Sequence, residues 1–332
     1  MNDSKTWRLF RLLARGGFHS GQNLARELGV SRAAVWKRKT ALEALGVKIH
    51  AVRGRGYRID PPLELLDRDR VLDCAPGLRD WDLRLHTAID STHRRLQAWL
   101  DQGEIRSGCA CLAEHQSAGR GRRGRHWHSP PGQNLYMSLY WRFETDPSAL
   151  NGLGIALGLA VAEALESLGL RDIGLKWPND LQIRGRKLAG LLVDLRGQSG
   201  GPVDVIAGLG LNHRMEDRSA IDQPWTDLHR CMTGNPPSRN QCAGALLQAL
   251  AACLREYDSE DFPDVRAAWA RFDALADRAV QLHGPGGHVE GIARGLAEDG
   301  ALRIEVDGRI RRFASGEVSV RAAESGGADV GL

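Results

Sequence analysis

Residues 114–127 read E-H-Q-S-A-G-R-G-R-R-G-R-H-W, and residues 119–125 consist of four arginines and three glycines. Arginine carries a permanent charge and a planar fork of N–H donors, which matches the oxygens of carboxylates and phosphates. Glycine allows the backbone to approach a ligand closely and to adopt positive φ. Because four like charges repel each other, such a loop is costly unless it meets an anion. We therefore predict that residues 119–125 close over an anionic group.

The residues alone leave two other interpretations of this loop. Gly119, Gly121 and Gly124 match G-x-G-x-x-G, the dinucleotide-binding fingerprint, which requires a strand before it and a helix directly after it. The apolar stretch 109–114 predicts the strand, but residues 126–133 contain two prolines and a glycine and predict no helix. The fingerprint is therefore disfavoured, whereas a solvated basic loop remains open.

Further motifs surround the loop. A Ser91–Thr92 pair precedes it, and K-W-P-N-D-L at 176–181, R-K-L-A-G-L-L-V at 186–193 and G-L-G-L-N at 208–212 follow it. The chain contains no G-x-x-x-x-G-K-[ST] phosphate loop, so the arginines and glycines must hold any polyphosphate. In order and spacing these motifs resemble the biotin–protein ligases, from about residue 5 to residue 321. The N-terminal part resembles the bifunctional members, which also repress the biotin operon.

The resemblance implies a two-step reaction. The carboxylate of biotin attacks the α-phosphate of ATP, with Mg²⁺, and gives biotinyl-5'-AMP and pyrophosphate. A lysine of the biotin carboxyl carrier protein of acetyl-CoA carboxylase then displaces AMP. The adenylate also serves as corepressor, because the loaded protein forms a homodimer that binds operator DNA of the biotin synthesis genes. Two alternatives stay open, namely a biotin-sensing transcriptional regulator without ligase activity and a lipoate ligase of related fold.

The resemblance also implies roles for individual residues of this chain. The catalytic cations are Lys187, Arg120 and Arg122. The biotin-binding residues are Ser91, Thr92, His93, Gln116, Arg120, Gly121, Arg122, Trp127 and Lys187. The residues that bind ATP and the adenylate are Arg120, Arg122, Lys176, Asn179, Asp180, Asn212 and Trp225, with Asp180 as the candidate ligand of Mg²⁺.

Two residues depart from the pattern of these ligases. His93 stands where asparagine usually follows Ser-Thr, and Asp194 stands where glutamate is common after K-L-A-G-x-L-V. Imidazole titrates near neutral pH. We therefore expect a biotin contact at His93 to be altered or pH-dependent.

Taken singly, the assigned residues also have purely structural interpretations. Ser91 and Thr92 could cap the helix that follows them, and Trp177 with Pro178 could be core and turn. Lys176 and Lys187 could be exposed, and Asn212 could be a turn residue after two glycines. The functional interpretation is favoured because all of these motifs occur together with the glycine and arginine loop.

The N-terminal residues, 1–62, predict a winged helix-turn-helix. Apolar periodicity and serine caps indicate helices at 5–14, 20–29 and 31–45, and two strands follow at 47–52 and 57–59. Residues 1–60 contain 13 Lys/Arg and 4 Asp/Glu, which favours a polyanionic partner. The candidate DNA-binding residues are Ser31, Arg32, Trp36, Lys37, Arg38, Arg53 and Arg55. A winged helix used only for protein contacts is the alternative.

The rest of the chain predicts an α+β catalytic domain over 66–275. A long apolar helix at 151–168 accompanies seven strands, predicted at 83–86, 108–114, 134–141, 173–176, 180–184, 188–195 and 203–211. Strands that follow one another closely, as in hairpins, indicate a mixed, mostly antiparallel sheet, and the resemblance implies the class II aminoacyl-tRNA synthetase-like fold.

Residues 278–321 alternate in polarity between Asp-Gly turns, which fits a small SH3-like β-barrel. Residues 322–332 are expected to be a disordered tail.

Composition limits the class of protein. Hydrophobic residues make up 42% of the chain and charged residues 26%, as in ordinary globular proteins. We find no run of about 18 apolar residues and no apolar signal core, and we therefore expect a cytoplasmic protein without membrane attachment. The six cysteines include no C-x-x-C pair and no Cys/His cluster with zinc spacing, so buried thiols are expected.

Overall fold

The N-terminal head consists of three helices and a β-hairpin. The structure, a computed structural model, describes residues 4–216, 221–284, 287–314 and 319–322. The head elements are α1 (Ser4–Ala14), α2 (Gly21–Leu28), α3 (Arg32–Glu43), β1 (Ile49–Val52) and β2 (Gly56–Ile59). Ser20 and Ser31 begin α2 and α3, because each side chain accepts a backbone hydrogen bond from the first helical turn. The predicted winged helix-turn-helix is confirmed.

The turn between α2 and α3 has the geometry that the sequence predicts. Gly29 ends α2 with a φ of 63°, in the left-handed region that glycine tolerates best. Ala25 and Val35 are both buried in the head core on either side of this turn. Lys39 lies on the inner side of α3 and reaches outward to Glu43, with 2.7 Å between Nζ and Oε1. A lysine on this face is therefore accommodated by an ion pair at its tip.

The body is built on one seven-stranded sheet. Its strands are β3 (Asp82–His86), β4 (Cys109–Ala113), β5 (Leu135–Phe143), β6 (Ile173–Lys176), β7 (Asp180–Ile183), β8 (Arg186–Gly197) and β9 (Val203–Leu211). The order is β3-β4-β5-β9-β8-β7-β6, and β3–β4 is the one parallel pair within it. All seven strands were predicted, with ends that differ by no more than two residues. The predicted mixed, mostly antiparallel sheet is confirmed.

Helices cover this sheet. They are α4 (Arg68–Asp73), α5 (Thr92–Asp101), α6 (Leu153–Ser167), α7 (Leu228–Cys231), α8 (Arg239–Glu256) and α9 (Phe262–Ala270). Helices α6, α8 and α9 contribute to the main apolar core, and α5 packs over a separate cluster that includes Cys109, Cys111 and Tyr140. By length and composition alone, Pro147–Ser167 is apolar enough to cross a membrane, which a search for an unbroken apolar run does not detect. Most of α6 is buried within the core.

The C-terminal unit is an antiparallel sheet. Its strands are β10 (Ala279–Gly284), β11 (Gly287–Leu296), β12 (Leu302–Val306), β13 (Arg309–Phe313) and β14 (Ser319–Ala322), in the order β13-β12-β11-β10-β14. The indole N–H of Trp177 donates to the carbonyl of Gly300 at 3.0 Å, which ties this sheet to the body. The turn predicted at 315–316 and residues 323–332 of the expected tail lie outside the described residues.

The head contacts the body close to the arginine loop. Lys48 Nζ lies 2.8 Å from Glu216 Oε2, and the side-chain amide of Gln133 donates to the carbonyl of Gly46 at 2.9 Å. The rings of Trp7 and His115 stack with their centroids 5.1 Å apart. Because His115 lies on the segment that leads from β4 into the loop, head and loop share a structural support.

Candidate functional site

The first turn of α5 belongs to a cluster of buried polar side chains around Thr92, Gln116 and Ser138, here called the polar pocket. Ser91 caps the helix by accepting a hydrogen bond from the backbone of Arg94, so the capping interpretation is correct for this serine. Thr92 Oγ1 lies 3.2 Å from Gln116 Oε1 and 2.8 Å from Ser138 Oγ. The backbone N–H of Thr92 also donates to Gln116 Oε1, at 2.9 Å. These side chains are buried polar groups that hydrogen-bond to one another and keep a fixed geometry.

The base of the arginine loop contributes further side chains to the polar pocket. The amide nitrogen of Gln116 donates to Ser129 Oγ at 3.2 Å, and Ser129 in turn donates to the carbonyl of Trp127. A Cβ at Gly119 would lie 2.7 Å from the Trp127 carbonyl oxygen, so only glycine fits where the two loop ends cross. The loop therefore begins and ends on a rigid base that also orients Gln116.

His93 and Asp194, the two departures from the ligase pattern, are in direct contact. His93 Nε2 lies 2.8 Å from Asp194 Oδ2, and the imidazole is only 3% exposed. The same carboxylate oxygen accepts from Gln97 at 2.9 Å. The hydrogen bond from His93 is the main reason that the pKa of Asp194 lies below its usual range, and Arg120 and Arg196 lower it further. The two departures lie 101 residues apart in the chain, and the fold pairs them.

The arginine loop roofs a cavity of about 390 Å³. Its lining comprises residues of the loop, of the start of α6, of the turn before β7 and of β8, namely Arg120, Gly121, Arg122, Arg123, Gly124, Gly154, Pro178, Asn179, Leu191, Leu192, Val193 and Asp194. Arg122 Nη1 donates to Asn179 Oδ1 at 3.4 Å. Burial, then the charge of Arg123, lowers the pKa of Arg122. Cations brought together at such a cost indicate a site for an anion.

Lys187 reaches the same region from the start of β8. Its Nζ lies 2.7 Å from Asp180 Oδ1 on the neighbouring strand and 5.4 Å from the centroid of the Trp127 ring. Both members of the ion pair are largely buried. A Cβ at Gly210 would overlap the ring of Trp127, so this glycine makes room for the indole beside Lys187. The structure thus brings Lys187, Trp127 and the loop together, and the interpretation of Lys187 as an exposed lysine is wrong.

A second cavity, of about 480 Å³, lies beyond Lys187. Its lining includes Trp225, and Arg230 stacks on that indole with Cζ 4.5 Å from the ring centroid. Residues 224–226 run alongside the start of β8, held by backbone hydrogen bonds on both sides of Lys187. Asn212 is buried, and its amide nitrogen donates to the carbonyl of Thr226 at 3.0 Å. In this structure Asn212 supports the wall that carries Trp225.

The K-W-P-N-D motif forms the hairpin between β6 and β7. Lys176 pairs in register with Asp180, which places both residues at the base of the hairpin. Trp177 is buried and Asn179 faces Arg122, so one motif serves the core and the cavity. The core interpretation of Trp177 is therefore correct, whereas Asn179 lines the cavity.

Four residues of the pocket escaped sequence reasoning. Ser129 and Ser138 complete its hydrogen-bond network. Gly208 lies against His93 and Ser138, and Gly210 lies against Trp127. A Cβ at Gly208 would lie 3.1 Å from His93 Nδ1 and 3.3 Å from Ser138 Oγ. Alternating glycines in the strand G-L-G-L-N were the one available signal, because glycine inside a strand often marks a close approach by another group.

No group of three or more His, Cys, Asp or Glu residues in the described part of the chain is arranged to hold a metal ion. The one carboxylate in contact with Lys187 there is Asp180. Nucleotide-bound Mg²⁺ commonly uses one or two carboxylates together with phosphate oxygens and water. Asp180 therefore fits a metal that arrives with a nucleotide, and not a preformed metal centre.

The second candidate surface is the exposed face of α3. Arg32, Trp36 and Lys37 are exposed, and Trp36 is 58% exposed. Ser31 caps this helix, and Arg38 is half-buried, with Nη1 bound to the carbonyl of Ala34. This face thus combines two cations with an aromatic ring. Ser31 and Arg38, in contrast, already form hydrogen bonds within the helix.

The wing completes this surface. Arg53 and Arg55 lie in the turn between β1 and β2 and are exposed. Arg55 Cζ lies 4.2 Å above the centroid of the Phe18 ring, and Arg58 stacks on the same ring at 5.0 Å. A cation–π contact holds the Arg55 side chain against the head without neutralising its charge.

Sequence comparison matches three families along the chain. They are the Biotin/lipoate A/B protein ligase family over residues 85–212, an HTH domain over residues 8–58 and the Biotin protein ligase C terminal domain over residues 277–321. The chain is 42% identical over 319 residues to the bifunctional ligase/repressor BirA of Salmonella typhimurium, a match that covers 95% of this chain and 97% of that protein. Identity to BirA of Escherichia coli is 40%, over 96% and 97% of the two chains.

Among solved structures, the chain is similar to the biotin protein ligase from Aquifex aeolicus in complex with biotin and ATP. The TM-score is 0.62 at 30% sequence identity, over 73% of this chain and 99% of that one.

Proposed function

Because this chain belongs to the biotin protein ligases of the bifunctional ligase and repressor type, we propose that its arginine loop closes over the adenylate of biotin. The chain is an ATP-dependent biotin–protein ligase with a DNA-binding repressor head, and its substrates are ATP and biotin. The cavity lined by Arg120 and Arg122, with Lys187 beside Trp127 at the end of the same loop, carries the proposal for the site. The carrier is the biotin carboxyl carrier protein of acetyl-CoA carboxylase.

In the first step, two anions must approach each other. A carboxylate oxygen of biotin attacks the α-phosphorus of ATP, and the bond to the bridging oxygen breaks and releases pyrophosphate. Arg120 and Arg122 line the cavity in which we place these groups, and we assign Lys187, which is paired with Asp180, to the same anions. Preorganised cations stabilise the charge that develops in such a transition state. We assign Gly121 a backbone contact to the same anion.

In the second step, the ε-amine of the carrier lysine attacks the acyl carbon, AMP leaves, and the amine loses a proton. Until the carrier arrives, the mixed anhydride must be shielded from water, because water would hydrolyse it. The loop is anchored at both ends on the base around Ser129 and is able to provide this cover. Asp180 is the nearest candidate acceptor of the proton, since Lys187 already holds it at the site.

Each half of the substrate has its own part of the cleft. We place the ring system of biotin against Ser91, Thr92, His93, Gln116 and Trp127, which surround the polar pocket. The adenylate lies across the two cavities, between Asn179 and Asp180 on one side and Asn212 and Trp225 on the other, with Lys176 behind the hairpin. Mg²⁺ binds with ATP, and Asp180 is the residue that would hold it and balance the charge of the phosphates.

The head acts as the repressor. We propose that α3 enters the major groove through Arg32, Trp36 and Lys37, and that Arg53 and Arg55 of the wing contact phosphates. Ser31 and Arg38 are the remaining contacts, at the edges of this surface. We further propose that the protein dimerises when it holds the adenylate and then binds a palindromic operator. We propose that residues 1–62 form the DNA-binding domain, residues 66–275 the catalytic domain and residues 278–321 the C-terminal domain. We also propose that the protein is cytoplasmic.

The decisive test of the enzyme is biotin-dependent exchange of pyrophosphate into ATP. We expect exchange with biotin and none with lipoate, followed by labelling of one lysine on a carrier domain and release of AMP. Exchange driven by lipoate would support a lipoate ligase, and biotin binding without exchange would support a regulator without ligase activity. Removal of Mg²⁺ with a chelator is expected to stop exchange.

A separate test addresses the repressor. Footprinting at low salt, on DNA from upstream of biotin synthesis genes, is expected to show protection only with biotin and ATP present. Sedimentation of the same samples reports the dimer. A monomer that protects the DNA would contradict adenylate-dependent dimerisation but not DNA binding.

A further inference from the structure

Strand β8 and helix α5 are joined beside the polar pocket by a part-buried contact. His93 lies in the first turn of α5, directly after Thr92, and its Nε2 is 2.8 Å from Asp194 Oδ2 on β8. Gln97, one turn later on α5, donates to the same oxygen at 2.9 Å. Asp194 also lines the cavity under Arg120. The contact therefore connects the polar pocket, in which we place the ring system of biotin (the ring pocket), with the cavity lined by Arg120 and Arg122.

The His93 imidazole has no second hydrogen bond that could fix its orientation. Nδ1 is buried and has no partner among the described residues. This atom faces the bare backbone of Gly208, where a Cβ would come within 3.1 Å of it. Among the described residues, the bond to Asp194 is therefore the directional contact that sets the ring.

The ionised state of Asp194 suits this role. Its carboxylate accepts from two donors on α5 and lies within the field of Arg120 and Arg196. Hydrogen bonds to a charged acceptor are shorter and stronger than neutral ones.

We propose that His93 and Asp194 are a positioning pair that sets the distance between the N-terminal turn of α5 and strand β8, and thereby the affinity of the ring pocket for biotin. The inference rests on the proposed function, because the pair acts through Thr92 and its neighbours on the ring half of the substrate. It assigns a role to Asp194 and Gln97 that the site residues named above do not include.

The geometry suggests a reciprocal exchange as the test. Imidazole Nε2 lies one covalent bond farther from Cβ than the amide nitrogen of asparagine, and a glutamate oxygen lies one bond farther from Cβ than an aspartate oxygen. His93→Asn leaves a gap and Asp194→Glu crowds the pocket, but the double variant restores the combined length. The control is Asp101→Asn, which removes a second contact between α5 and β8, that of Asp101 with Arg196, at the far and exposed end of the helix.

We expect each single variant to weaken biotin binding about tenfold, as measured by calorimetry, because a charge-assisted hydrogen bond is disrupted. The double variant is expected to return to within about threefold of the original affinity, and Asp101→Asn to have no effect. In pyrophosphate exchange, the KM for biotin is expected to rise in the single variants while the KM for ATP changes less than about threefold.

Additive losses in the double variant, or single variants that bind biotin normally, would overturn the pair. An equal rise in both KM values together with a lower urea midpoint would do the same, because it would show a general loss of structure. If the unaltered protein shows no biotin-dependent exchange, the proposed function fails and this inference fails with it. Exchange by the unaltered protein alongside unaffected single variants overturns the inference alone.

Discussion

At the scale of single residues, the site depends on charge placed where water is scarce. Lys187 and Asp180 form a largely buried pair, and Arg122 is partly buried beside Arg123. Such groups are costly to fold, since each gives up hydration. Under the proposed function, the cost is offset when an anionic ligand binds, and the cations then stabilise the transition state.

Loss of the Lys187 charge is expected to slow the first step. Lys187→Met keeps the aliphatic stem but removes the ammonium, and pyrophosphate exchange should fall about 100-fold or more. The control is Arg184→Met, which removes an exposed arginine from the hairpin between β7 and β8 and should leave exchange unchanged. Exchange by Lys187→Met at the original rate would remove Lys187 from the catalytic residues.

A methyl group at Gly210 is expected to block the pocket. Gly210→Ala must displace the Trp127 ring, and overpacking of this kind costs about 1–3 kcal/mol. The KM for biotin should rise about tenfold or more, and Trp127 should move away from Lys187. Gly201→Ala, in an exposed turn with room for a Cβ, is the matched control. Unchanged KM values would show that Trp127 does not wall the biotin site.

At the scale of elements, hairpins and helix ends deliver the functional residues. The hairpin between β6 and β7 presents Asn179 and Asp180, the first turn of α5 presents Thr92, and the wing presents two arginines. Each of these elements is short and locally determined by caps or turns. The hairpin and the first turn of α5 are brought near each other by the sheet, and the wing is held by the head.

The wing is expected to govern the salt dependence of DNA binding. Arg53→Gln and Arg55→Gln should each lower the slope of log K against log salt by about 0.9 for each phosphate that is no longer neutralised. Arg11→Gln, on the exposed side of α1, should leave the slope unchanged. Affinities measured by fluorescence anisotropy over a salt series provide the slopes. A wing variant that keeps the full slope would exclude the wing from phosphate contacts.

At the scale of the whole molecule, one buried network joins the linker, the sheet and helix α8. Glu114 Oε2 lies 2.8 Å from Arg239 Nη1, and the two side chains are 5% and 3% exposed. The N–H groups of Arg239 donate to the carbonyls of Glu64 and Asn134, so the contact with Glu114 is ionic in character. The backbone of Leu66 donates to the other oxygen of Glu114. Linker and arginine loop thus share Glu114 as a support.

Neutralising Glu114 is expected to destabilise the body strongly. Glu114→Gln leaves the Arg239 charge buried without its counterion, which typically costs about 3–5 kcal/mol. Asp172→Asn breaks the exposed pair with Arg184 and should cost less than about 1 kcal/mol. Urea unfolding measures both. Equal stability of the two variants would show that Arg239 is satisfied by carbonyls alone.

Stability is also expected to fall in mild acid. Burial, with Arg239 and His229 nearby, lowers the pKa of His213 to about 4, although its bond to the Pro237 carbonyl opposes this. In the unfolded chain this histidine has a pKa of about 6.5 and is protonated at pH values where the folded His213 stays neutral. Its contribution to the free energy of unfolding is therefore fully present above about pH 6.5 and is lost as the pH falls towards 4. Between about pH 7.5 and 5 this histidine alone removes about 2 kcal/mol.

The variant His213→Gln tests this origin. Glutamine keeps an N–H donor for the Pro237 carbonyl but does not titrate. Its free energy of unfolding in urea should therefore fall by about 2 kcal/mol less than that of the original protein over the same pH range. An identical fall in both proteins would place the acid sensitivity elsewhere, for example at His115 or His86, whose pKa values are also lowered by burial.

Local signals in the chain were sufficient to predict the helices of the head, the strands of the body and the type of chemistry. Serine caps, glycine stops and alternating polarity act over a few residues, so the three head helices and all seven strands of the body were predictable. Likewise, the loop at 119–125 needed only its own composition to indicate an anion site.

Which side chains meet could be read only from the folded chain. His93 and Asp194 are 101 residues apart, and Glu114 and Arg239 are farther apart still, yet each pair is in contact. Ser138 and Gly208 became part of the pocket because β5 and β9 pair in one register. Strand order and register depend on the packing of the whole core, and no local pattern in the chain specifies them.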